Sequence, residues 1–139
     1  MAYDRGVYDE KYVLPASDVG AGAKSMTFYG PKGKKGRVLD MGVQAVTEAF
    51  TATTLPAYIS VGLTGNVDAY AEEFSMATTA IGPGISLRQT YDKDNLNIGG
   101  SYIVAEIPAD TAVLLTATAP TGGTPAGIGD VFCIIRWDN

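Results

Sequence analysis

Residues 37–52 read RVLDMGVQAVTEAFTA, and the pattern in this stretch is typical of half-buried β-strands. Leu39, Met41 and Val43 share one face of an extended chain, because side chains two residues apart point to the same side of a strand. This alternation, although imperfect, fits a strand better than the 3.6-residue period of a helix. We therefore predict strands over residues 38–44 and 45–52.

Turn residues recur about every ten residues on both sides of this stretch, a spacing typical of an all-β sandwich or barrel. Further strands are predicted at residues 26–29, 57–63, 85–91, 101–107, 112–119 and 130–137. The sequence therefore predicts an all-β protein, a β-sandwich or jelly roll of about eight strands.

Two segments carry other expectations. Residues 67–76 have apolar side chains at helical spacing after Asn66, which favours one short helix or a lid over the end of the sandwich. Residues 116–129 are rich in Gly, Pro and Thr between two apolar strands, so they predict a β-hairpin with a wide tip.

The start of the chain differs from the rest. Glycines at 20, 22, 30 and 33 surround one short strand, so residues 1–35 are expected to form a flexible N-terminal arm with that first strand, and residues 36–139 the β-sandwich domain. Tyr3, Tyr8 and Tyr12 give this arm aromatic side chains, which are suited to contact with a neighbouring subunit.

Residue composition argues against an enzyme. The chain has no histidine, which removes the side chain best suited to exchange protons near neutral pH. Its one cysteine, Cys133, lies in an apolar run, where a thiol most often acts as a small buried hydrophobe. The segment Asp92, Asp94 and Asn97 does not match a calcium-binding loop, because Leu96 stands where that loop needs an oxygen ligand. No cofactor or metal is expected, although a weak surface calcium site stays open.

A basic cluster stands out from the net charge of −5. Lys32, Lys34, Lys35 and Arg37 fall in one glycine-rich stretch, which is either a solvated loop or a site that docks on an acidic protein surface. The acidic balance of the chain argues against nucleic acid as a partner. No apolar run reaches the ~20 residues that span a bilayer, and the charged start lacks a signal-peptide core, so we expect a soluble protein made in a cytoplasm, with no membrane partner.

Three stretches together resemble the small decoration (cement) proteins of tailed bacteriophage capsids. They are residues 37–50 (RVLDMGVQAVTEAF), 59–68 (ISVGLTGNVD) and 129–137 (GDVFCIIRW). The resemblance covers about two thirds of the chain and lies in its general character, since no diagnostic motif accompanies it.

The resemblance implies a structural virion protein, made in the host cytoplasm and located on the outer surface of an expanded capsid. It implies a homotrimer that binds the major capsid protein and clamps capsomer junctions non-covalently. On this interpretation the contact residues are Tyr3, Tyr8, Tyr12, Lys32, Lys34, Lys35 and Arg37.

Two other functions stay open. A carbohydrate- or receptor-binding β-sandwich module of a phage fibre or tail would use the aromatic, acidic and amide side chains of residues 91–95. A small β-barrel enzyme would need carboxylates or lysines with shifted pKa values in one pocket, and the sequence contains no convergent set of this kind.

Overall fold

Two four-stranded antiparallel sheets form the protein in the computed structural model, which describes residues 7–76, 79–90 and 105–138. A single 3-10 turn spans Val19–Ala21, and a short helix, α1, spans Leu87–Thr90. The strands are β1 (Tyr8–Asp18), β2 (Lys24–Phe28), β3 (Lys35–Thr51), β4 (Tyr58–Leu63), β5 (Asn66–Ser75), β6 (Gly82–Ser86), β7 (Val113–Thr118) and β8 (Ala126–Asp138).

The order of the strands is that of a jelly roll. The first sheet has the order β1-β8-β3-β6 and the second has the order β2-β7-β4-β5. Each strand of the first half pairs with its counterpart in the second half, so that β1 pairs with β8, β2 with β7, β3 with β6 and β4 with β5. Two packed sheets with this order define the eight-stranded jelly roll. The predicted fold class is confirmed.

The core lies between the two sheets and follows the alternation of the strands. On β8 the inward side chains are Val131, Cys133, Ile135 and Trp137, all of them buried. Val113, Leu115 and Ala117 of β7 face them from the second sheet. The predictions that Cys133 and Trp137 are core residues are confirmed.

Residues 38–51 lie in one bent strand, β3, whereas the sequence predicted two strands over residues 38–52. β3 continues without interruption, and its pairing with β8 shifts register between Gln44 and Glu48. Ala45 takes a positive φ of 50° at this bend, a conformation that few side chains adopt. A further shift between Val38 and Asp40 turns Val38 toward the core, in the place predicted for Leu39.

The helix predicted over residues 67–76 is wrong, because this segment is the strand β5. The turn at Thr64 and Gly65 connects β4 directly to β5, and Gly65 has a φ of 91° that suits glycine. Pairing with β4 provides backbone hydrogen bonds along one side of β5, which is the edge strand of the second sheet. Phe74 and Ala71 are buried between the sheets, while Glu72 and Glu73 are exposed.

Residues 8–18 form an edge strand in place of the predicted flexible arm. β1 pairs with β8 from Tyr8 opposite Trp137 to Asp18 opposite Ile128, with one shift between Leu14 and Ser17. Tyr12 and Leu14 of β1 pack against the core from this edge and so stabilise the pairing. Residues 1–6 lie outside the described residues. The predicted domain boundary near residue 35 falls in the β2–β3 connection, with strands of both sheets on either side of it.

Three further predictions differ from the structure. Residues 116–129 do not form a hairpin, because β7 and β8 belong to different sheets and the chain crosses between them. The tip of this crossing packs on the β3–β4 connection, where Thr121 and Leu55 exchange backbone hydrogen bonds of 2.9 and 3.2 Å. The strand predicted at 85–91 begins earlier, as β6, and gives way to α1. Of 101–107, residues 101–104 lie outside the described residues and Ile107 forms an isolated bridge with Gly36.

Candidate functional site

One end of the jelly roll gathers four of the seven predicted contact residues and a tyrosine that the sequence did not single out. We call this the lysine–tyrosine end and define it as Tyr8, Tyr29, Lys32, Lys34 and Lys35. Tyr8 begins β1, Tyr29 follows β2, and the three lysines lie in or just after the β2–β3 connection. These residues lie close together because the β2–β3 connection passes the edge of the first sheet at which β1 and β3 begin and β8 ends.

Glycines and a carboxylate shape the β2–β3 connection. Gly33 has a φ of 77°, and its N–H donates to Asp110 Oδ1 at 2.9 Å. Gly36 exchanges two backbone hydrogen bonds with Ile107, of 3.0 and 2.7 Å. Gly30 lies against Trp137, so a Cβ added there would sit 2.5 Å from the indole ring. The connection is therefore anchored on the core and holds its lysines at defined positions.

Lys34 and Tyr8 contact each other at this end. The Lys34 Nζ lies 5.2 Å from the centre of the Tyr8 ring, within the range of a cation–π interaction. Lys34 is only 6% exposed, and its side chain covers apolar surface as long cationic side chains do. Lys32 and Lys35 are exposed beside it.

Exposed apolar side chains concentrate at the same end. Seven large hydrophobic residues are exposed among the described residues, and five of them lie at strand ends that meet here: Val7, Tyr8, Tyr29, Leu63 and Val67. Tyr29 is 65% exposed and Tyr8 is 44% exposed. Concentrated exposed apolar surface marks interaction sites, and tyrosine is enriched in protein interfaces. These exposed side chains make this end of the molecule the candidate contact surface.

Tyr12, a predicted contact residue, points inward and supports the fold. Its ring stacks on Phe28 with a centroid distance of 3.7 Å. Its hydroxyl accepts a hydrogen bond from Trp137 Nε1 at 3.0 Å and donates one to Glu10 Oε2 at 3.1 Å. Burial raises the pKa of Tyr12 to about 12. Tyr12 therefore connects β1 to β8 of the first sheet and to β2 of the second sheet. The prediction that Tyr12 is a contact residue is corrected, because its ring packs against the core.

Arg37 lies on β3 two residues after Lys35, on the same outward face of the first sheet. It is exposed and stands opposite Arg136 of β8. Arg136 in turn forms a bidentate ion pair with Asp9, in which Nε lies 2.8 Å from Oδ1 and Nη2 lies 3.1 Å from Oδ2. The hydrogen bond from Arg136 holds the pKa of Asp9 below its usual value, and the same bond raises the pKa of Arg136. The structure thus keeps Arg37 next to Lys35, and its other neighbour on this face is Arg136.

Metal-binding groups, the cysteine thiol and helices that could span a membrane are the remaining features of the described residues that bear on function. Among those residues, no group of three or more His, Cys, Asp and Glu side chains could hold a metal ion. Burial raises the pKa of the Cys133 thiol to about 12, which keeps it protonated near neutral pH. In the same residues, no helix is long and apolar enough to cross a bilayer.

Several sequence-predicted sites lie outside the described residues. They are Tyr3, the turn at Asp92, Asp94 and Asn97, and the proposed sugar-binding segment 91–95. Conversely, the exposure of Tyr29, Leu63 and Val67 was not predicted from the sequence. The available signal for Tyr29 was a single tyrosine at the end of the short strand predicted over residues 26–29. No sequence signal marked Leu63 and Val67 as exposed, because their exposure depends on the β4–β5 hairpin, and the second strand of that hairpin was predicted as a helix.

Comparisons with known proteins found no counterpart. No known protein family matches this chain, and neither the curated proteins nor the solved structures contain a match.

Proposed function

We propose that this chain is a structural protein of a bacteriophage virion that binds the outside of an expanded capsid and stabilises its capsomer junctions. The observation that carries the proposal is the concentration of exposed tyrosines, aliphatic side chains and lysines at one end of the jelly roll. Such a surface supports binding through contact area and charge, without a reaction. The major capsid protein is the partner in this proposal.

The fold is compatible with this role. Jelly rolls occur in viral capsid proteins and in lectins, and this part of the argument is an analogy at the level of the fold. The site itself adds the second support. Lysines grouped on an otherwise acidic chain orient it toward an acidic surface, since complementary charge guides encounter and selects the partner.

A homotrimer is part of the proposal. Three copies that each present one lysine–tyrosine end would bind a threefold position of the shell through three contacts. The second and third contacts form at a high effective concentration, so that weak single contacts sum to stable attachment. A ligand that prefers the assembled shell over its free subunits stabilises the shell by mass action.

Cosedimentation with expanded capsids tests the proposal. We expect saturable binding at a stoichiometry that matches the threefold positions of the shell, and weaker binding at high salt because the lysines contribute. Tyr29→Ser is expected to reduce capsid affinity by about tenfold, since truncation of interface tyrosines is among the costly changes at interfaces.

Ile81→Ser provides a matched control. Ile81 is 68% exposed, close to the value for Tyr29, but it lies at the opposite end of the sandwich, beside β6. Equal losses in the two variants would reject the lysine–tyrosine end as the contact. Protein that stays in the supernatant would reject the capsid proposal, and a signal on a glycan array would then favour the carbohydrate-binding alternative.

A further inference from the structure

The end of the jelly roll opposite the lysine–tyrosine end is formed by the β1–β2, β3–β4, β5–β6 and β7–β8 connections. We call it the neutral end and define it as residues 19–23, 52–57, 76–81 and 119–125, of which 77 and 78 lie outside the described residues. None of these residues is charged, although charged residues make up 18% of the chain. Depletion of charged side chains is typical of the core of a protein interface.

The acidic side chains that flank the neutral end are held by backbone N–H groups beside it. Asp18 Oδ1 accepts the Ala21 N–H at 3.2 Å, and Glu48 Oε1 accepts the Gly127 N–H at 3.2 Å. Lys24, the first residue of β2, is exposed at the margin. The centre of this end, formed by the β3–β4 and β7–β8 connections, therefore presents no charge to a partner.

An apolar pocket of about 140 Å³ lies at the centre of the neutral end. It is bounded by residues 50–57 of the β3–β4 region and by Pro120, and every residue that lines it is uncharged. Phe50 and Ala57 line its buried part, since each is only 2% exposed. The pocket is therefore suited to an uncharged, apolar group.

Backbone hydrogen bonds between two connections fix the shape of this pocket. The Thr54 N–H donates to the Thr121 carbonyl at 3.0 Å, and the Thr53 N–H donates to the Gly122 carbonyl at 3.3 Å. Gly122 has a φ of 92°, and a Cβ added there would collide with Thr54 Oγ1. A pocket that is already formed costs little conformational entropy when it is filled.

Leu55 projects beside the pocket without filling it. It lies between Thr54 and Pro56, which both line the pocket, but its own side chain does not line it and is 51% exposed. An apolar cavity of about 150 Å³ accommodates a molecule of the size of benzene, and the isobutyl group of leucine is smaller. The same surface thus carries an exposed apolar side chain and an apolar pocket that has room for it.

We propose that the neutral end joins copies of this chain, and that Leu55 of each copy enters the pocket of the next. A second copy is the occupant because identical molecules bring identical charges, and a neutral surface can meet its own copy without opposing like charges. Two lysine–tyrosine ends, in contrast, would bring lysines against lysines. Each copy both gives and receives a leucine, so a ring can close with no pocket left open.

The inference deepens the homotrimer of the proposed function and rests on it for the number of copies. A ring joined at its neutral ends directs the three lysine–tyrosine ends away from the centre, where each can contact a different capsomer. The two ends of the molecule then have separate roles, self-association at one and capsid contact at the other.

Sedimentation velocity of the unaltered protein without capsids, over a range of concentrations, tests the contact. We expect the mass of three chains. Leu55→Ser should raise the dissociation constant by about tenfold or more, since burial of a leucine side chain contributes at least that much. Ile81→Ser is the matched control, because Ile81 is 68% exposed beside β6, at the margin of the same end, and does not line the pocket. A monomer at every concentration, or equal losses in the two variants, would overturn the proposal.

A variant that fills the pocket provides an independent test. Ala52 lines the pocket and is exposed, so Ala52→Phe should occupy the space without disturbing the core. It should weaken association as Leu55→Ser does, and full association in this variant would overturn the role of the pocket. A dimer that both variants dissociate would support the contact and reject the trimer of the proposed function. Because no capsid is present, failure of capsid binding leaves these outcomes unchanged.

Discussion

At the scale of single residues, Trp137 organises the end of the molecule on which the proposed function rests. Its indole is 1% exposed and lies against Gly30 of the β2–β3 connection. Its N–H donates to the Tyr12 hydroxyl, and Tyr12 stacks on Phe28. One aromatic cluster thus joins the two chain ends, through β1 and β8, to the second sheet.

Removal of the Tyr12 hydroxyl should destabilise the fold. In Tyr12→Phe the buried Trp137 N–H loses its acceptor, and an unsatisfied buried donor costs about 1–3 kcal/mol. The free energy of unfolding measured with urea should fall by that amount. Tyr58→Phe is a comparison at another partly buried tyrosine. A loss below about 0.5 kcal/mol in Tyr12→Phe would contradict the role given to this bond.

Stability should fall as the pH rises from 9 to 12. The ordinary pKa values of Cys133 and Tyr12 are 9.0 and 10.0, and burial raises both to about 12 in the folded protein. The native state therefore retains protons that the unfolded chain has lost, so unfolding becomes more favourable with pH in this range. Urea unfolding at several alkaline pH values measures the slope. A flat profile between pH 9 and 12 would contradict these shifts.

Cys133 should not react with thiol reagents in the folded protein. Its side chain is buried, and its raised pKa keeps the nucleophilic thiolate scarce at pH 8. Labelling with Ellman's reagent is expected only after addition of denaturant. Rapid labelling of native protein would show that the β8 face containing Cys133 opens locally.

At the scale of elements, β3 and β5 show how pairing overrides local pattern. The sequence of β3 suggested two strands because its alternation breaks near Ala45, and the structure absorbs that break as a bend within one strand. β5 carries helix-like spacing, yet its turn with β4 makes it a strand. The spacing of residues in the sequence does not reveal a β-bulge, because the inserted residue changes which of the following side chains face inward.

Deletion of residues 1–18 should destabilise the whole fold, because β1 is a sheet strand. The loss removes Tyr12 from Trp137 and opens one side of β8. We expect the unfolding temperature to fall by more than about 10 °C, since 1 kcal/mol corresponds to a few degrees in a domain of this size. Differential scanning calorimetry measures it. A change of less than about 2 °C would show that these residues behave as an arm.

At the scale of the whole molecule, the jelly roll closes by pairing the most distant parts of the chain. Trp137 and Tyr12 are 125 residues apart in sequence and share a hydrogen bond. The same closure positions the lysine–tyrosine end, which combines side chains from β1, the β2–β3 connection and the start of β3. The neutral end, with Leu55, is a second and separate surface.

This topology predicts slow folding. Contacts between distant segments require large loops to close first, and all-β sandwiches fold in about milliseconds to seconds. Stopped-flow fluorescence of Trp137, the one tryptophan in the chain, reports the closure of β1 onto β8. A major folding phase in microseconds would contradict the nonlocal pairing.

The sequence by itself determined the all-β class, the approximate strand count and the burial of Cys133 and Trp137, because alternation and turn residues are local properties. It also predicted Tyr8, Lys32, Lys34 and Lys35 as contact residues, and the structure places them at one end of the jelly roll, while their contact role stays a prediction. Only the tertiary structure decided that Tyr12 faces inward and that Tyr29, Leu63 and Val67 lie exposed at the same end of the sandwich as the lysines. Those outcomes depend on strand register and on which sheet each strand enters, and both are set by pairing between residues far apart in the chain.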